Sequence, residues 1–382
     1  MPSLYLHIPF CEHKCIYCDF YSIAPNGEGR ENYGDLEGRF LNALEREIDL
    51  RGQDELFKTT YETIFIGGGT PSLLSPSTIE GILTRISTRF SIRADAEITV
   101  EANPGTVDLK KLQGYKSAGV NRMSFGIQSF HEDDLRFLTR IHTSEQARDN
   151  VRNAFRTGFE NVSFDLIFAL PGQTLERWKS NLQFAIELSP THLSCYSLIV
   201  EQNTPLYRMV QSNEVRLVDT EDDAALYEYT IEYLDHAGFT QYEVSNFSRP
   251  GYKCRHNVNY WNHENYLGFG PSAHSFWEGK RWWNLSNVVG YAEMLTRGLP
   301  PVAGEEVLTR QQWIDETVLL GLRGEGIDLE GFRNRFQKNL LTEYDVLIDG
   351  LLNDGLATIG GERLRLTMKG YLVCDEICRS FR

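Results

Sequence analysis

The stretch Leu4-Tyr5-Leu6-His7-Ile8-Pro9-Phe10-Cys11-Glu12-His13-Lys14-Cys15-Ile16-Tyr17-Cys18 decides how this chain folds. Its opening apolar run, Leu4 to Ile8, predicts a buried strand. Three cysteines at CxxxCxxC follow, on the loop leaving that strand. Thiolates this close reach three corners of a cubane iron–sulfur cluster and leave the fourth iron open to another ligand. Zinc is the alternative, but structural zinc sites want four ligands, usually in two CxxC-like pairs, and no second pair follows. A disulfide is disfavoured in a chain of cytosolic character.

Similar runs recur downstream: Thr63–Ile66, Glu97–Val100, Arg122–Ile127, Val162–Ile167 and Leu193–Leu198. Amphipathic stretches lie between them, such as Leu36–Leu50, Ile79–Phe90 and Ser144–Phe155, the last with Thr143 as its cap. The alternation predicts an α/β architecture, a parallel sheet with helices outside it. Six units predict an incomplete β/α barrel, with the chemistry on loops at the carboxyl ends of the strands. A helix over Asp222–Ala237 and a short run, Thr240–Val244, follow.

The loops carry the motifs. Gly67-Gly68-Gly69-Thr70-Pro71 follows the second strand, and glycines let a backbone approach a ligand and present bare N–H groups. A tight turn is the plain alternative. Glu101 ends the third strand, as a cap or a contact. Gln128 ends the fourth, and Arg140 follows in Leu138-Thr139-Arg140-Ile141-His142; a satisfied loop and a surface arginine are their ordinary roles. Asp165 interrupts an apolar strand, and a buried carboxylate needs partners. A salt bridge or the vicinal hydroxyls of a ribose would serve.

CxxxCxxC after a first strand, framed by Tyr5-Leu6-His7-Ile8-Pro9-Phe10-Cys11 and Cys18-Asp19-Phe20, resembles the radical S-adenosylmethionine (SAM) superfamily. Within it the stretch is similar to the branch that holds oxygen-independent coproporphyrinogen III oxidase and the heme chaperone HemW. The resemblance covers nearly the whole chain. It implies a (β/α)6 radical SAM barrel and a [4Fe–4S] cluster on Cys11, Cys15 and Cys18. It also implies SAM, with Gly68, Gly69 and Thr70 at its methionyl end and Tyr5, Glu101, Gln128, Arg140 and Asp165 as further contacts; Tyr17, between two cluster cysteines, is placed to meet the adenine.

Composition narrows the classes. The chain has 382 residues, enough for one large domain and a small one, and a net charge of −15 that argues against a nucleic-acid partner. No stretch approaches the roughly twenty apolar residues of a membrane span. Met1 stands directly before the first strand, which predicts no signal peptide. Seven cysteines without framework spacing fit a reducing cytoplasm. Cys195, Cys374 and Cys378 are expected as buried thiols.

Residues 1–245 are expected as the barrel, 246–303 as an aromatic and His-rich connector packed on it, and 304–382 as a winged-helix-like α+β domain that covers the barrel mouth. In that last part, helices around Trp313–Leu322, Leu329–Phe336 and Glu343–Asn353 precede a hairpin turning at Gly360-Gly361 and a final helix, Lys369–Phe381. The connector holds His256-Asn257-x-x-Tyr260-Trp261, which matches the HNxxYW pattern of the HemW group. Neutral imidazole is a good axial ligand for heme iron, so His256 is the expected contact to heme, carried as cargo; most of the aromatics are expected to pack on the barrel. Cys254 has no motif behind it. Gly268-Phe269-Gly270-Pro271-Ser272-Ala273-His274 is shared across the branch and has no role derivable from sequence.

Three readings follow: a heme chaperone serving recipient hemoproteins, a coproporphyrinogen III oxidase, and a radical SAM enzyme on another substrate. The oxidase usually has a further cysteine where this chain has Phe20, and it carries an N-terminal extension ahead of the first strand. With HNxxYW, these features favour the chaperone without oxidase activity. Cysteine usage and the expected lack of a signal peptide place it in the cytoplasm, with room for transient association with a respiratory recipient at the membrane.

Overall fold

The computed structural model describes residues 1–25 and 33–381. Six strands alternate with helices: β1 (Ser3–Ile8), α1 (Tyr33–Gly52), β2 (Thr60–Gly68), α2 (Pro76–Arg89), β3 (Ser91–Ala102), α3 (Leu109–Ser117), β4 (Arg122–Gln128), α4 (Glu132–Phe137), α5 (Ser144–Arg156), β5 (Asn161–Phe168), α6 (Leu175–Glu187) and β6 (His192–Ser197). Each strand pairs in parallel with the next, so each connection must cross over outside the sheet. This is the expected incomplete (β/α)6 barrel.

Parallel strands covered on both faces usually read as continuous apolar runs. These alternate instead. Leu4, Leu6, Ile64, Ile66, Val100, Met123, Phe125, Val162 and Phe164 share one core with the helices. Register aligns the residues between them across the other face: Ser3 with Thr63, Thr63 with Glu97, Thr99 with Arg122, Ser124 with Ser163, Asp165 with Ser194. A buried polar face survives only if it is hydrogen-bonded. Ser163 Oγ accordingly lies 2.7 Å from His192 Nδ1, whose Nε2 lies 2.7 Å from the Tyr242 hydroxyl.

The helix starts are set locally. Thr143 caps α5 in a full capping box with Gln146. Ser75, Asp108 and Thr174 cap α2, α3 and α6 through their side chains. Each such cap contributes about 1 kcal/mol.

After α7 (Pro205–Gln211) and α8 (Thr220–His236), the run expected over Thr240–Val244 is a strand only at β7 (Thr240–Gln241), and β8 (Asn246–Ser248) beyond it turns back antiparallel on β6. Residues 246–303 then add α9 (Arg255–Trp261), β9 (Tyr266–Phe269), β10 (His274–Trp277), β11 (Lys280–Asn284) and α10 (Val288–Thr296). Strand β9 pairs parallel with β1, and β10, β11 and β12 (Val302–Val307) continue outward antiparallel. Among the described residues the sheet thus has twelve strands, and this segment enters it at both ends.

Buried Glu47 on α1 ties that segment down. It accepts from Gly270 N (2.8 Å), Asn284 Nδ2 (2.7 Å) and the Tyr291 hydroxyl (2.7 Å). Three donors offset the cost of burying a carboxylate.

A second core, separate from the first, contains Ile314, Val318, Leu322, Phe332, Leu364 and Ile377. It is built from α11 (Arg310–Arg323), α12 (Leu329–Phe336), α13 (Leu340–Glu343), α14 (Asp345–Asn353) and a three-stranded antiparallel sheet of β13 (Ile327–Asp328), β14 (Ala357–Gly360) and β15 (Arg363–Leu366). The helix expected over Lys369–Phe381 breaks at Val373 into α15 (Met368–Leu372) and α16 (Cys374–Ser380).

Candidate functional site

A cavity of about 450 Å³ opens at the carboxyl ends of β1 to β6. It is lined by Cys11, Cys15, Tyr17, Cys18, Gly68, Gly69, Thr70, Glu101, Gln128, Arg140 and Asp165. All but two of the expected site residues therefore meet in one place.

The cysteine loop is fixed from several sides. Cys11 N donates to Ile23 O (2.9 Å) and Ile16 N to Thr139 Oγ1 (3.2 Å), while Leu206 N donates to Ile16 O (3.0 Å). Cys11 Sγ lies 3.2 Å from Thr70 Oγ1. The glycine loop packs directly on it. A Cβ on Gly69 would sit 2.6 Å from Phe10 O, and Gly68 has φ +109°, a conformation that only glycine adopts readily. The N–H groups of this loop are not bare as expected. Gly68 N donates to Glu101 Oε2 (3.2 Å), Gly69 N to Ile8 O (2.8 Å) and Thr70 N to Phe10 O (2.7 Å). The glycines serve close approach.

The charges are disposed around this loop. Arg140 Nη2 donates to Gly126 O (2.6 Å), Nη1 lies 3.5 Å from Cys15 Sγ, and its buried Nε has no partner. Burial, followed by the nearby Asp165, pushes the Glu101 carboxyl up to about 8. Burial also raises Asp165, opposed by Ser194 and Arg122. The Ser124 hydroxyl lies 3.4 Å from both Asp165 oxygens. Arg122 opposes the shift of both acids and Arg140 that of Asp165, yet burial dominates in each. Burial pushes the Cys18 thiol up to about 11 and raises Cys11 too; a bound metal favours the thiolate.

These features fit a cubane cluster and SAM. Among the described residues no group of three His, Cys, Asp or Glu side chains converges as for one metal ion, and in a cubane each thiolate holds a different iron. The unpartnered Arg140 Nε and the buried carboxyl groups of Glu101 and Asp165 give a bound zwitterion its partners.

Two expected site residues lie elsewhere. Tyr5 does not line this cavity; its hydroxyl lies 3.0 Å from His7 Nδ1 and its ring stacks near Phe65. His256 is 1% exposed. Its Nδ1 lies 2.7 Å from Thr63 Oγ1, its Nε2 2.9 Å from the Tyr260 hydroxyl, and its ring stacks on Phe65 at 5.0 Å. Burial, reinforced by Arg122, lowers its pKa to about 3. The reason is local: Glu97 accepts from the backbone N–H of Arg255 and His256. It thereby fixes the start of α9 so that His256 turns toward β2 and the next residue, Asn257, lines the cavity. As placed, His256 offers no nitrogen to iron. No residue of the C-terminal domain lines this cavity.

The sequence reading missed Asn257, Arg122, Ser194 and Tyr196, which line the same cavity. Arg122 had a signal, an arginine opening an apolar strand; the fold buries it at 2% exposure.

This fold and this loop define a class. The Radical SAM superfamily matches residues 5–185, and the HemN C-terminal domain matches residues 308–373. That class implies SAM and a [4Fe–4S] cluster. Heme chaperone HemW of Bacillus subtilis is 37% identical over 388 residues, covering 100% of this chain and 99% of the relative. Heme chaperone HemW of Escherichia coli is 43% identical over 274 residues, covering 71% and 69%. The chain belongs to the HemW family of radical SAM proteins. The solved coproporphyrinogen III oxidase HemN of Escherichia coli is also similar, with a TM-score of 0.83 and 26% identity over 100% of this chain and 90% of that one.

Proposed function

We propose that this protein is a heme chaperone, which binds heme and passes it to recipient hemoproteins in the cytoplasm or transiently at a membrane. The carrying observation is the end-to-end likeness to the Bacillus subtilis heme chaperone. Cys11, Cys15 and Cys18 would hold the [4Fe–4S] cluster, and the residues lining the same cavity would hold SAM. When bound, cluster and SAM together supply one-electron chemistry. Glu101 would take up the methionyl ammonium, Asp165 would accept from the ribose hydroxyls, and Gln128, Tyr17 and the Gly68–Thr70 loop would fix the ligand's orientation. Arg140 balances charge beside Cys15. The cargo passes through without a covalent change.

The oxidase is the second reading, favoured by the overall likeness to HemN. Phe20, which stands where the oxidase usually has a further cysteine, weighs against it.

The test is one sample put to two assays. Anaerobically reconstituted full chain is loaded with heme and mixed with an apo-hemoprotein, and separately given coproporphyrinogen III and SAM. Heme transfer without conversion to protoporphyrinogen IX is expected. Conversion, or a failure to bind and release heme, would overturn the reading.

A further inference from the structure

A second cavity, of about 510 Å³, lies beside the first. Asp19 and Phe20 line both, so the end of the cysteine loop is the partition between them. The second cavity sits where β1 meets β9 and β10, and its far wall is Glu316 and Leu320 of α11. This is where the C-terminal domain comes over the barrel. Its volume is that of a site for a sizeable organic ligand.

The walls are aromatic. Tyr5, Tyr260, Tyr266 and Phe276 line it, and Phe20 is 62% exposed beside them. Flat aromatic surface suits a flat macrocycle through stacking. Three histidines also line the cavity, and two are committed. His7 has Nδ1 3.0 Å from the Tyr5 hydroxyl and Nε2 2.8 Å from Tyr21 O. His263 has Nδ1 3.2 Å from Thr317 Oγ1 and Nε2 3.6 Å from the Glu316 carboxylate. His274 differs. It is exposed, its ring stacks with Trp283 at 5.9 Å, and among the described residues no hydrogen bond engages its ring nitrogens.

The backbone before His274 is rigid. Gly270 has φ +96°, and a Cβ there would sit 2.4 Å from His7 O. Glu47 and Asn284 hold Gly270 from both its N–H and its carbonyl. Gly268 N donates to Ser275 Oγ at 2.9 Å. An uncommitted imidazole on a fixed turn facing an aromatic cavity is an arrangement for a metalloporphyrin.

We propose that this second cavity seats the heme cargo, with His274 as its exchangeable iron ligand. The inference rests on the heme-chaperone reading and names where that cargo lies. Burial and the charge of Arg281 lower the pKa of His274, which keeps the ring neutral, the form that ligates iron. Asp19, Glu264 and Glu316 line the cavity, and Arg281 is already paired with Glu306 and Glu316. Propionates are therefore repelled from the walls and turn to solvent. One histidine and no propionate clamp make a site that can let its ligand go.

The experiment titrates full-length, cluster-loaded protein anaerobically with ferric heme and, in parallel, with iron-free protoporphyrin IX. His274→Ala is expected to weaken heme binding at least tenfold and to remove the imidazole signature from the electron paramagnetic resonance spectrum of the heme, while protoporphyrin IX binding stays within twofold. His236→Ala, on the outer surface of α8, is expected to change neither. If His274→Ala fails to fold, His274→Met keeps the bulk and changes the ligand atom, and a new heme spin state is expected. A parent that binds heme, with unaltered spectrum and affinity in the His274 variants, overturns this site and leaves the chaperone reading standing. A parent that binds no heme overturns both.

Discussion

Arg140 and Cys15, 125 residues apart in sequence, are brought within 3.5 Å, guanidinium to thiol. The arginine is held there by Gly126 O, so the cation is fixed beside the cysteine loop before any cofactor arrives. Arg140→Ala is expected to lower SAM affinity roughly ten- to a hundredfold, the usual effect of losing a charge-assisted contact. It is also expected to move the cluster potential to more negative values, since a nearby positive charge favours the reduced state. Anaerobic equilibrium dialysis and a redox titration check the two effects; the parent's values in both would sink the placement.

Changing Cys11, Cys15 or Cys18 to Ala is expected to abolish a stable cubane, because each thiolate holds its own iron. Cys254 is fully buried, next to Glu97, and Cys254→Ala is expected to keep the brown chromophore. Iron and sulfide analysis of reconstituted protein decides it. A Cys11→Ala variant with the parent's full complement would refute the assignment.

The Glu101 carboxyl is held near 8 against an ordinary 4.5, by burial and then by Asp165. A group that keeps its proton longer folded than unfolded contributes fully below its unfolded pKa and loses that contribution as pH rises through the folded one. Glu243, pushed up to about 7 by burial, acts in the same sense. The cofactor-free protein should therefore lose stability from about pH 5 to about pH 8. Glu101→Gln should melt higher than the parent at the alkaline end, with the gap closing toward pH 5, while SAM affinity falls. Melting curves that run parallel over this range for both proteins would count against it.

For His256 the expected loss is one of stability. His256→Ala removes a ring stacked on Phe65 and leaves the hydroxyls of Thr63 and Tyr260 without their shared partner, a cost of about 2–4 kcal/mol. Chemical denaturation should register that drop while the heme spectrum of the surviving folded fraction keeps its position. A shifted Soret band at unchanged stability would return His256 to the heme site.

Local chemistry wrote much of this protein plainly. The apolar runs and the amphipathic stretches between them specify the six β/α units, because strand and helix patterns and helix starts depend on neighbours a few residues away. The cysteine spacing specifies the iron–sulfur loop for the same reason. Glu101 and Gln128 were legible as polar residues at strand ends, and Asp165 as a carboxylate inside an apolar strand. Tertiary structure decided what spacing cannot carry. Tyr5 alternates off the apolar face of β1, yet which cavity it meets depends on β9 arriving at that edge some 260 residues later. His256 and Asn257 are adjacent, and Glu97, from a distant strand, sets which of them faces the cavity. The ring nitrogens of His7 and His263 are engaged and those of His274 are not, a difference of partners supplied by the fold. A sequence fixes which groups exist and their local geometry; their pairing, and hence what each is left able to bind, is settled only when distant segments pack.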